Sequence, residues 1–381
     1  MFTNAVQAET GTVCWETSTP EEQGMDSGVL NELKDHIKGN YPDIISMVII
    51  RNGFLVEEEY FDYSDTTKRN IYSCTKSFTS TLIGIAIHEG YIDSINESVL
   101  DFFPNHTFTN VDERKQNMTL YHLLTMTAGL EWVEGEYNPN DSFIRMTKST
   151  DWVQFVLDLE MVAHPGETFN YNTGAYHVMS AIINYTTGMS TLEFAKSRLF
   201  DPLGIEDYIW QKDPSGIHRG GDCLWLTPRS LAKLGQLYLD NGSWKGQQIV
   251  PEEWVYNSTG ITTPPEETTY PEGYGWGWWI HTDISYEGAF SAWGRGHQRV
   301  IVYTKYQVVA TFTSAMFAVS SALDPVGNLV NTFVLPAIFT HDNYRSSTES
   351  TDSTNNAVTA FAFTFPILLV IVIIRKNRWR K

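Results

Sequence analysis

The chain has 381 residues and carries 26 Lys and Arg against 45 Asp and Glu, which gives a formal net charge of −19. A field this acidic repels polyanions, so it argues against nucleic acid or polyphosphate as a partner. Hydrophobic residues make up 42% of the chain and aromatic residues 13%, which excludes a disordered polypeptide and predicts a folded core. The length suits one large domain with appendages.

The cysteine count argues against a disulfide framework or a zinc site. The three cysteines are Cys14, Cys74 and Cys223, and they show no CxxC or Cys/His spacing. An odd number excludes a framework that uses every thiol, although a single bridge between Cys14 and Cys223 remains open. No G-x-G-x-x-G or P-loop occurs either. The sequence therefore predicts no metal and no cofactor.

The first predicted elements are a helix and a hairpin. A helical stretch at about 27–39 precedes two apolar runs, 44–51 and 54–60, that flank Asn52-Gly53. An Asn-Gly pair between apolar runs is a strong hairpin signal, because both residues tolerate a positive φ. The folded part is thus expected to open with a helix and a two-stranded ribbon.

The middle of the chain is predominantly helical by its periodicity. Apolar residues recur at helical spacing from Ser73 to about Gly90, which predicts a buried helix, and residues 95–245 are predicted to form a helical lobe. Beyond residue 270 the pattern predicts three strands and a closing helix, at 290–293, 298–303, 308–314 and 324–338. The sheet would then take strands from both ends of the chain.

The C-terminal segment favours a membrane anchor. Residues 357–374 contain no charged side chain, and as a helix they would cross about 27 Å of hydrocarbon. The basic segment 375–381 follows and is expected to stay cytoplasmic by the positive-inside rule. The predicted organisation has five parts: an N-terminal extension 1–19, a folded domain 20–340, a polar linker 341–356, the span 357–374 and the tail 375–381.

Two signals conflict about which side of the membrane the domain occupies. A cytoplasmic tail after one span places the domain outside, yet residues 1–13 do not resemble a signal peptide. Either the true start lies upstream of Met1, or the protein is tail-anchored and the domain faces the cytosol. Seven N-x-[ST] sequons favour an extracellular or luminal glycoprotein: Asn96, Asn105, Asn117, Asn140, Asn184, Asn241 and Asn257.

Ser73 and Lys76 form an S-x-x-K pattern at the start of the predicted buried helix. At spacing i, i+3 the two side chains share one helix face. A serine hydroxyl needs an adjacent base to act as a nucleophile, and a desolvated lysine can lose its proton and serve as that base. The unpaired N–H groups of a helix N-terminus would stabilise a developing oxyanion. The pattern is therefore compatible with acyl transfer.

Four segments resemble the serine β-lactamase-related hydrolases: residues 71–80, 120–129, 201–204 and 226–238. The similarity covers roughly residues 15–340 and is strongest to the branch of esterases and 6-aminohexanoate-dimer hydrolases. This branch is related in fold to class C β-lactamases and D-Ala-D-Ala peptidases. The resemblance implies an α+β fold, in which helices flank an antiparallel sheet and an all-helical lobe is inserted.

The resemblance also implies roles for individual residues. The second motif of the family falls on Tyr171-Asn172-Thr173, so Tyr171 is expected to move protons together with Lys76. Thr173 stands where the family usually has Asn, which leaves a side-chain contact to substrate open. The third motif, K-[ST]-G in β-lactamases, is here Ala292-Trp293-Gly294-Arg295-Gly296. An N–H near Gly294 or Arg295 would complete the oxyanion hole with that of Ser73.

The expected function is therefore a membrane-anchored serine hydrolase that cleaves a small ester or amide through an acyl-enzyme. Trp293, Gly294, Arg295 and Thr173 are the expected substrate-binding residues, beside the N–H of Ser73. One rival is a true β-lactamase or D-Ala-D-Ala peptidase. Another is a catalytically silent scaffold that acts as a receptor. The joint presence of the serine, lysine and tyrosine speaks against the silent scaffold.

Overall fold

The structure is a computed structural model, and it describes residues 15–135, 138–263, 272–282, 288–320 and 323–338. The predicted linker, span and tail lie outside the described residues, as does Cys14. Within the described part of the chain, no helix combines the length and the apolar character needed to cross a bilayer. Cys223 is a buried free thiol in the structure.

The central element is a seven-stranded antiparallel sheet in the order β2-β1-β12-β11-β10-β9-β8. The strands in the described part of the chain are β1 Ile44–Arg51, β2 Phe54–Tyr60, β3 Arg69–Asn70, β4 Tyr208–Trp210, β5 Leu224–Leu226, β6 Ser243–Trp244, β7 Gln247–Gln248, β8 Gly273–Tyr274, β9 Trp279–Ile280, β10 Ala289–Gly294, β11 Gln298–Tyr303 and β12 Val308–Ser314. Because β1 pairs with β12, this sheet takes strands from both ends of the folded domain, as the sequence predicts.

Helices cover both faces of the sheet. They are α1 Ser27–Asn40, α2 Thr75–His88, α3 Glu113–Gln116, α4 Leu120–Leu124, α5 Ser142–Lys148, α6 Trp152–Leu157, α7 Thr173–Thr187, α8 Thr191–Ala195, α9 Asp201–Leu203, α10 Pro228–Leu239, α11 Glu252–Ser258 and α12 Pro325–Leu329. Alternate residues of β11 serve the two sides: Val300 and Val302 join the core with α2 and α10, and Ile301 joins the core with α1 and α12. The arrangement is the predicted α+β fold.

The first hairpin forms where the sequence predicts it. β1 and β2 have the predicted bounds, and the turn residues Asn52 and Gly53 have φ values of 52° and 82°. These positive angles give a turn whose twist matches that of the two strands, which is why the Asn-Gly pair is so informative. Helix α1 begins after Asp26, whose carboxylate accepts hydrogen bonds from the N–H groups of Gly28 and Val29.

The inserted lobe differs from the all-helical prediction in one respect. Two strands of this region, β4 and β5, form a small sheet with β3, which precedes Ser73, in the order β3-β5-β4, and a two-stranded hairpin, β6 and β7, follows α10. Each of these strands has only two or three residues, too few for an alternating pattern to be visible in the sequence. β5 matters for the site, because the carbonyl of Leu224 accepts a hydrogen bond from the N–H of Ile71, two residues before Ser73.

Candidate active site

Ser73 lies in a strained turn directly before the buried helix. Residues Tyr72–Cys74 form one turn of 3-10 helix, and α2 begins at Thr75, so Ser73 precedes the α-helix instead of opening it. Tyr72 has a φ of 46°, a conformation that bulky residues rarely adopt, and its N–H donates to Asn70 Oδ1 at 2.9 Å. The turn leaves Ser73 partly exposed while the helix behind it is buried.

The Lys76 ammonium is buried against the serine. The residue is 2% exposed, and its Nζ donates to Ser73 Oγ at 3.0 Å, to Thr173 Oγ1 at 2.9 Å and to the carbonyl oxygen of Gly221 at 2.9 Å. An ammonium can donate to all three acceptors. A neutral amine can donate to Thr173 and Gly221 and still direct its lone pair at the serine hydroxyl. The geometry therefore accommodates both protonation states without a rearrangement.

Tyr171 completes the group that surrounds Lys76. The Lys76 Nζ lies 4.7 Å from the centroid of the Tyr171 ring, and this ring stacks on Trp279 at 5.9 Å with an interplanar angle of 16°. Burial and the Glu134 carboxylate raise the pKa of the Tyr171 phenol, and a hydrogen bond with Ser73 opposes that rise. The net shift is upward, so the phenol keeps its proton at neutral pH.

Thr173 connects Lys76 to a carboxylate that the sequence analysis missed. The Thr173 hydroxyl accepts from Lys76 and donates to Glu134 Oε1 at 2.6 Å, and the Thr173 N–H donates to Glu134 Oε2 at 2.9 Å. Thr173 is the first residue of α7, which begins after Asn172, whose side chain accepts from the N–H of Ala175. The hydroxyl thus contacts the lysine from the position where the family usually has an amide.

The backbone of the third motif packs against the turn that carries Ser73. Gly294 ends β10, and a Cβ atom at this position would come within 2.3 Å of the carbonyl oxygen of Ile71. Only glycine allows the strand to approach the turn this closely. Arg295 is exposed in the following turn, with its guanidinium 5.5 Å from the ring centroid of Phe317, and Phe317 is in edge contact with Tyr72.

The Trp293 indole covers the buried guanidinium of Arg299. The Arg299 guanidinium lies 3.6 Å from the centroid of a Trp293 ring, and Trp293 itself is in edge contact with Trp279, on which Tyr171 stacks. Arg299 is fully buried and pairs with Asp324 at 2.5 Å. Burial raises the pKa of the Asp324 carboxyl, but the Arg299 charge and hydrogen bond outweigh this and hold it below its usual range.

The structure brings four of the expected site residues, Ser73, Lys76, Tyr171 and Thr173, into one group of contacts. It places Trp293 and Gly294 behind and beside this group, and it places the side chain of Arg295 against Phe317. Glu134 and the carbonyl of Gly221 were missed. No residue spacing could have found them, because they lie in loops that are distant from the serine in sequence.

The family-level comparison agrees with this architecture. The Beta-lactamase family model matches residues 38–323, and the chain belongs to that family. Members of the family are generally serine hydrolases. In sequence the chain is similar to the 6-aminohexanoate-dimer hydrolase of Paenarthrobacter ureafaciens, with 23% identity over 252 residues that cover 61% of this chain and 63% of that protein. The chain spans less than two thirds of the length of the curated relatives it matches.

Solved structures show the same fold. A family VIII carboxylesterase superposes with a TM-score of 0.66 at 16% identity, covering 84% of this chain and 98% of the esterase. The octameric penicillin-binding protein homologue from Pyrococcus abyssi superposes with a TM-score of 0.63 at 22% identity, covering 82% of this chain and 77% of the other. At this level of identity the likeness concerns the fold alone.

Proposed function

We propose that this protein is a serine hydrolase in which a small ester or amide acylates Ser73 and water then hydrolyses the acyl-enzyme. The observation that carries the proposal is the 3.0 Å contact between Lys76 Nζ and Ser73 Oγ. The same amine donates hydrogen bonds to the Thr173 hydroxyl and to the Gly221 carbonyl, which fix its position. A base within hydrogen-bond reach of a serine hydroxyl is the arrangement that acylation requires.

In the proposed acylation, Lys76 takes the proton as Ser73 Oγ attacks the substrate carbonyl. Tyr171 is a protonated phenol near neutral pH, and it hydrogen-bonds with Ser73, so it is placed to pass a proton toward the departing alcohol or amine. The oxyanion would accept hydrogen bonds from the N–H of Ser73 and from one backbone N–H at Gly294 or Arg295. The close approach of Gly294 to the Ile71 carbonyl supports this last assignment.

The third motif lacks a group that could bind the carboxylate of a substrate, and this bears on which substrates the enzyme prefers. β-Lactams and D-Ala-terminated peptides present a carboxylate, which K-[ST]-G meets with a cation or hydroxyl, whereas Trp293 offers neither. Arg299 cannot substitute, because it is covered by Trp293 and neutralised by Asp324. A charge-assisted hydrogen bond contributes about 1.5–3 kcal/mol, so its absence should reduce kcat/KM for such substrates by one to two orders of magnitude.

We therefore expect p-nitrophenyl butyrate to be hydrolysed with a higher kcat/KM than nitrocefin. Purified protein is assayed on both compounds, and Ser73→Ala serves as the control for non-enzymatic cleavage. A clear preference for nitrocefin would contradict the substrate assignment and support a β-lactamase instead.

We further propose that residues 357–374 anchor the protein in a membrane, with the folded domain outside. The uncharged run and the basic segment after it support the anchor. The external placement is supported by the sequons, since none of the seven asparagines is buried in the structure.

Deleting residues 357–381 should move the protein from the membrane fraction to the soluble fraction without loss of ester turnover, because no residue of the candidate site lies there. The measurement is fractionation after a carbonate wash, with the full-length chain as control. Truncated protein that still pellets with membranes would refute the anchor.

A further inference from the structure

Glu134 presents a partly exposed carboxylate beside the Ser73–Lys76 pair. Its Oε1 accepts from the Thr173 hydroxyl at 2.6 Å, and its Oε2 accepts from the N–H of Thr173 at 2.9 Å and from Trp132 Nε1 at 2.9 Å. Because Thr173 also accepts from Lys76, the carboxylate is joined to the serine by a chain of three hydrogen bonds. The carboxylate therefore belongs to the same hydrogen-bonded group as the nucleophile, and its side chain is partly exposed.

This carboxylate retains capacity to accept another hydrogen bond. A carboxylate has about four lone-pair sites, and the donors from Thr173 and Trp132 account for three of them. Over the residues that the structure describes, no lysine or arginine forms an ion pair with Glu134. Among the described residues, Lys76 compensates the charge indirectly, through the Thr173 hydroxyl.

The surrounding charges make Glu134 the candidate for contact with a cation. Asp222, the other carboxylate that raises the pKa of Tyr171, is already paired with Arg219 through two hydrogen bonds. When Lys76 gives up its proton to act as a base, Glu134 loses its nearest compensating charge. Arg295, the cation of the third motif, lies over Phe317 beside Tyr72. A net charge of −19 adds a field that attracts cations.

We propose that Glu134 binds an ammonium group of the substrate, so that the enzyme favours esters or amides of amino acids whose protonated amine lies a few atoms from the scissile carbonyl. This inference rests on the proposed function, because it assigns a substrate class to the same site. The ammonium would donate to the carboxylate oxygen at its remaining acceptor position. A charge-assisted contact at a partly exposed site should favour such substrates by about tenfold in kcat/KM.

The competing role for Glu134 is positioning alone. By accepting the Thr173 hydroxyl proton, the carboxylate leaves an oxygen lone pair directed at Lys76, which orients the base for every substrate. Loss of that function would slow cationic and neutral substrates to the same extent. Binding of an ammonium predicts a selective loss, so the ratio of two kcat/KM values separates the roles.

The test uses isosteric ester pairs that differ by an ammonium in place of a methyl group. The pairs are p-nitrophenyl β-alaninate with p-nitrophenyl butyrate, and p-nitrophenyl 6-aminohexanoate with p-nitrophenyl heptanoate. The selectivity ratio, cationic over neutral kcat/KM, is measured for the full chain and for Glu134→Gln. The matched control is Glu131→Gln, which removes an exposed carboxylate three residues earlier in the same loop.

We expect Glu134→Gln to lower the selectivity ratio about tenfold for at least one pair, and Glu131→Gln to leave it within about twofold. As a measurement that needs no variant, the ratio in the unmodified protein should fall as NaCl rises from about 50 to 500 mM. A ratio that does not depend on Glu134 or on salt for either pair would overturn the proposal. If the unmodified protein cleaves neither ester and Ser73 resists fluorophosphonate, the proposed function itself has failed.

Discussion

Replacing Ser73 by alanine is expected to abolish covalent labelling by a fluorophosphonate probe and to reduce ester turnover by at least about three orders of magnitude. The probe reacts with an activated serine hydroxyl, and Ser73 is held 3.0 Å from the Lys76 amine in a partly exposed turn. Labelling is followed by gel fluorescence and by peptide mapping, and turnover by p-nitrophenyl butyrate hydrolysis. The exposed Ser64 offers a control, since Ser64→Ala should label normally.

The same experiment extends to the two proton carriers. Lys76→Met and Tyr171→Phe should each slow labelling by about 10²–10⁴-fold, because the serine proton then has no acceptor or no route to the leaving group. The combined variant should be little slower than the worse single variant, since the groups act as a unit. Lys196→Met, at a lysine whose side chain is 53% exposed, controls for the loss of one positive charge. Full turnover by Ser73→Ala would refute the acyl-enzyme mechanism.

The sequence predicts the site as far as local spacing and family motifs reach. Ser73 and Lys76 are three residues apart, so a single helical turn is enough to place their side chains on the same face. Tyr171 is 98 positions from the serine and is predicted only through the resemblance. Glu134 has neither spacing nor motif to identify it, because its contact with Thr173 depends on how a loop of the helical lobe folds back on α7.

The third motif shows a different limit of the sequence. The residue types show that Trp293 stands where β-lactamases have the lysine of K-[ST]-G, but they do not show that the Trp293 indole covers Arg299. That contact arises because Trp293 and Arg299 are directly paired across β10 and β11, a register that only the folded sheet fixes. The small sheet of β3, β5 and β4 was missed for a related reason, since strands this short are defined by their partners and not by their own pattern.

The buried charges behind Trp293 should have the largest effect on stability. Arg299 has no exposed surface, and it donates to Ser291 Oγ at 2.9 Å and pairs with Asp324 at 2.5 Å. Replacing it with methionine leaves the Asp324 carboxylate mostly buried and without its cation, which costs about 3–5 kcal/mol of unfolding free energy. Denaturant unfolding monitored by tryptophan fluorescence measures the loss, and a decrease below about 1 kcal/mol would contradict it.

The companion variants identify the cause of that loss. Asp324→Asn should also destabilise the fold, but Arg299→Met combined with Asp324→Asn should lose less than the sum of the two, since no charged Asp324 carboxylate then remains without its cation. The pH dependence has a definite sign. The pKa of Asp324 is lower in the folded than in the unfolded chain, so its stabilising contribution is full above about pH 4 and disappears as the pH falls further. That loss of stability at acid pH should be absent from Asp324→Asn. If the stability losses of the two single variants simply add, and Asp324→Asn loses stability at acid pH as the unmodified protein does, the Arg299–Asp324 pair is not the cause of the loss.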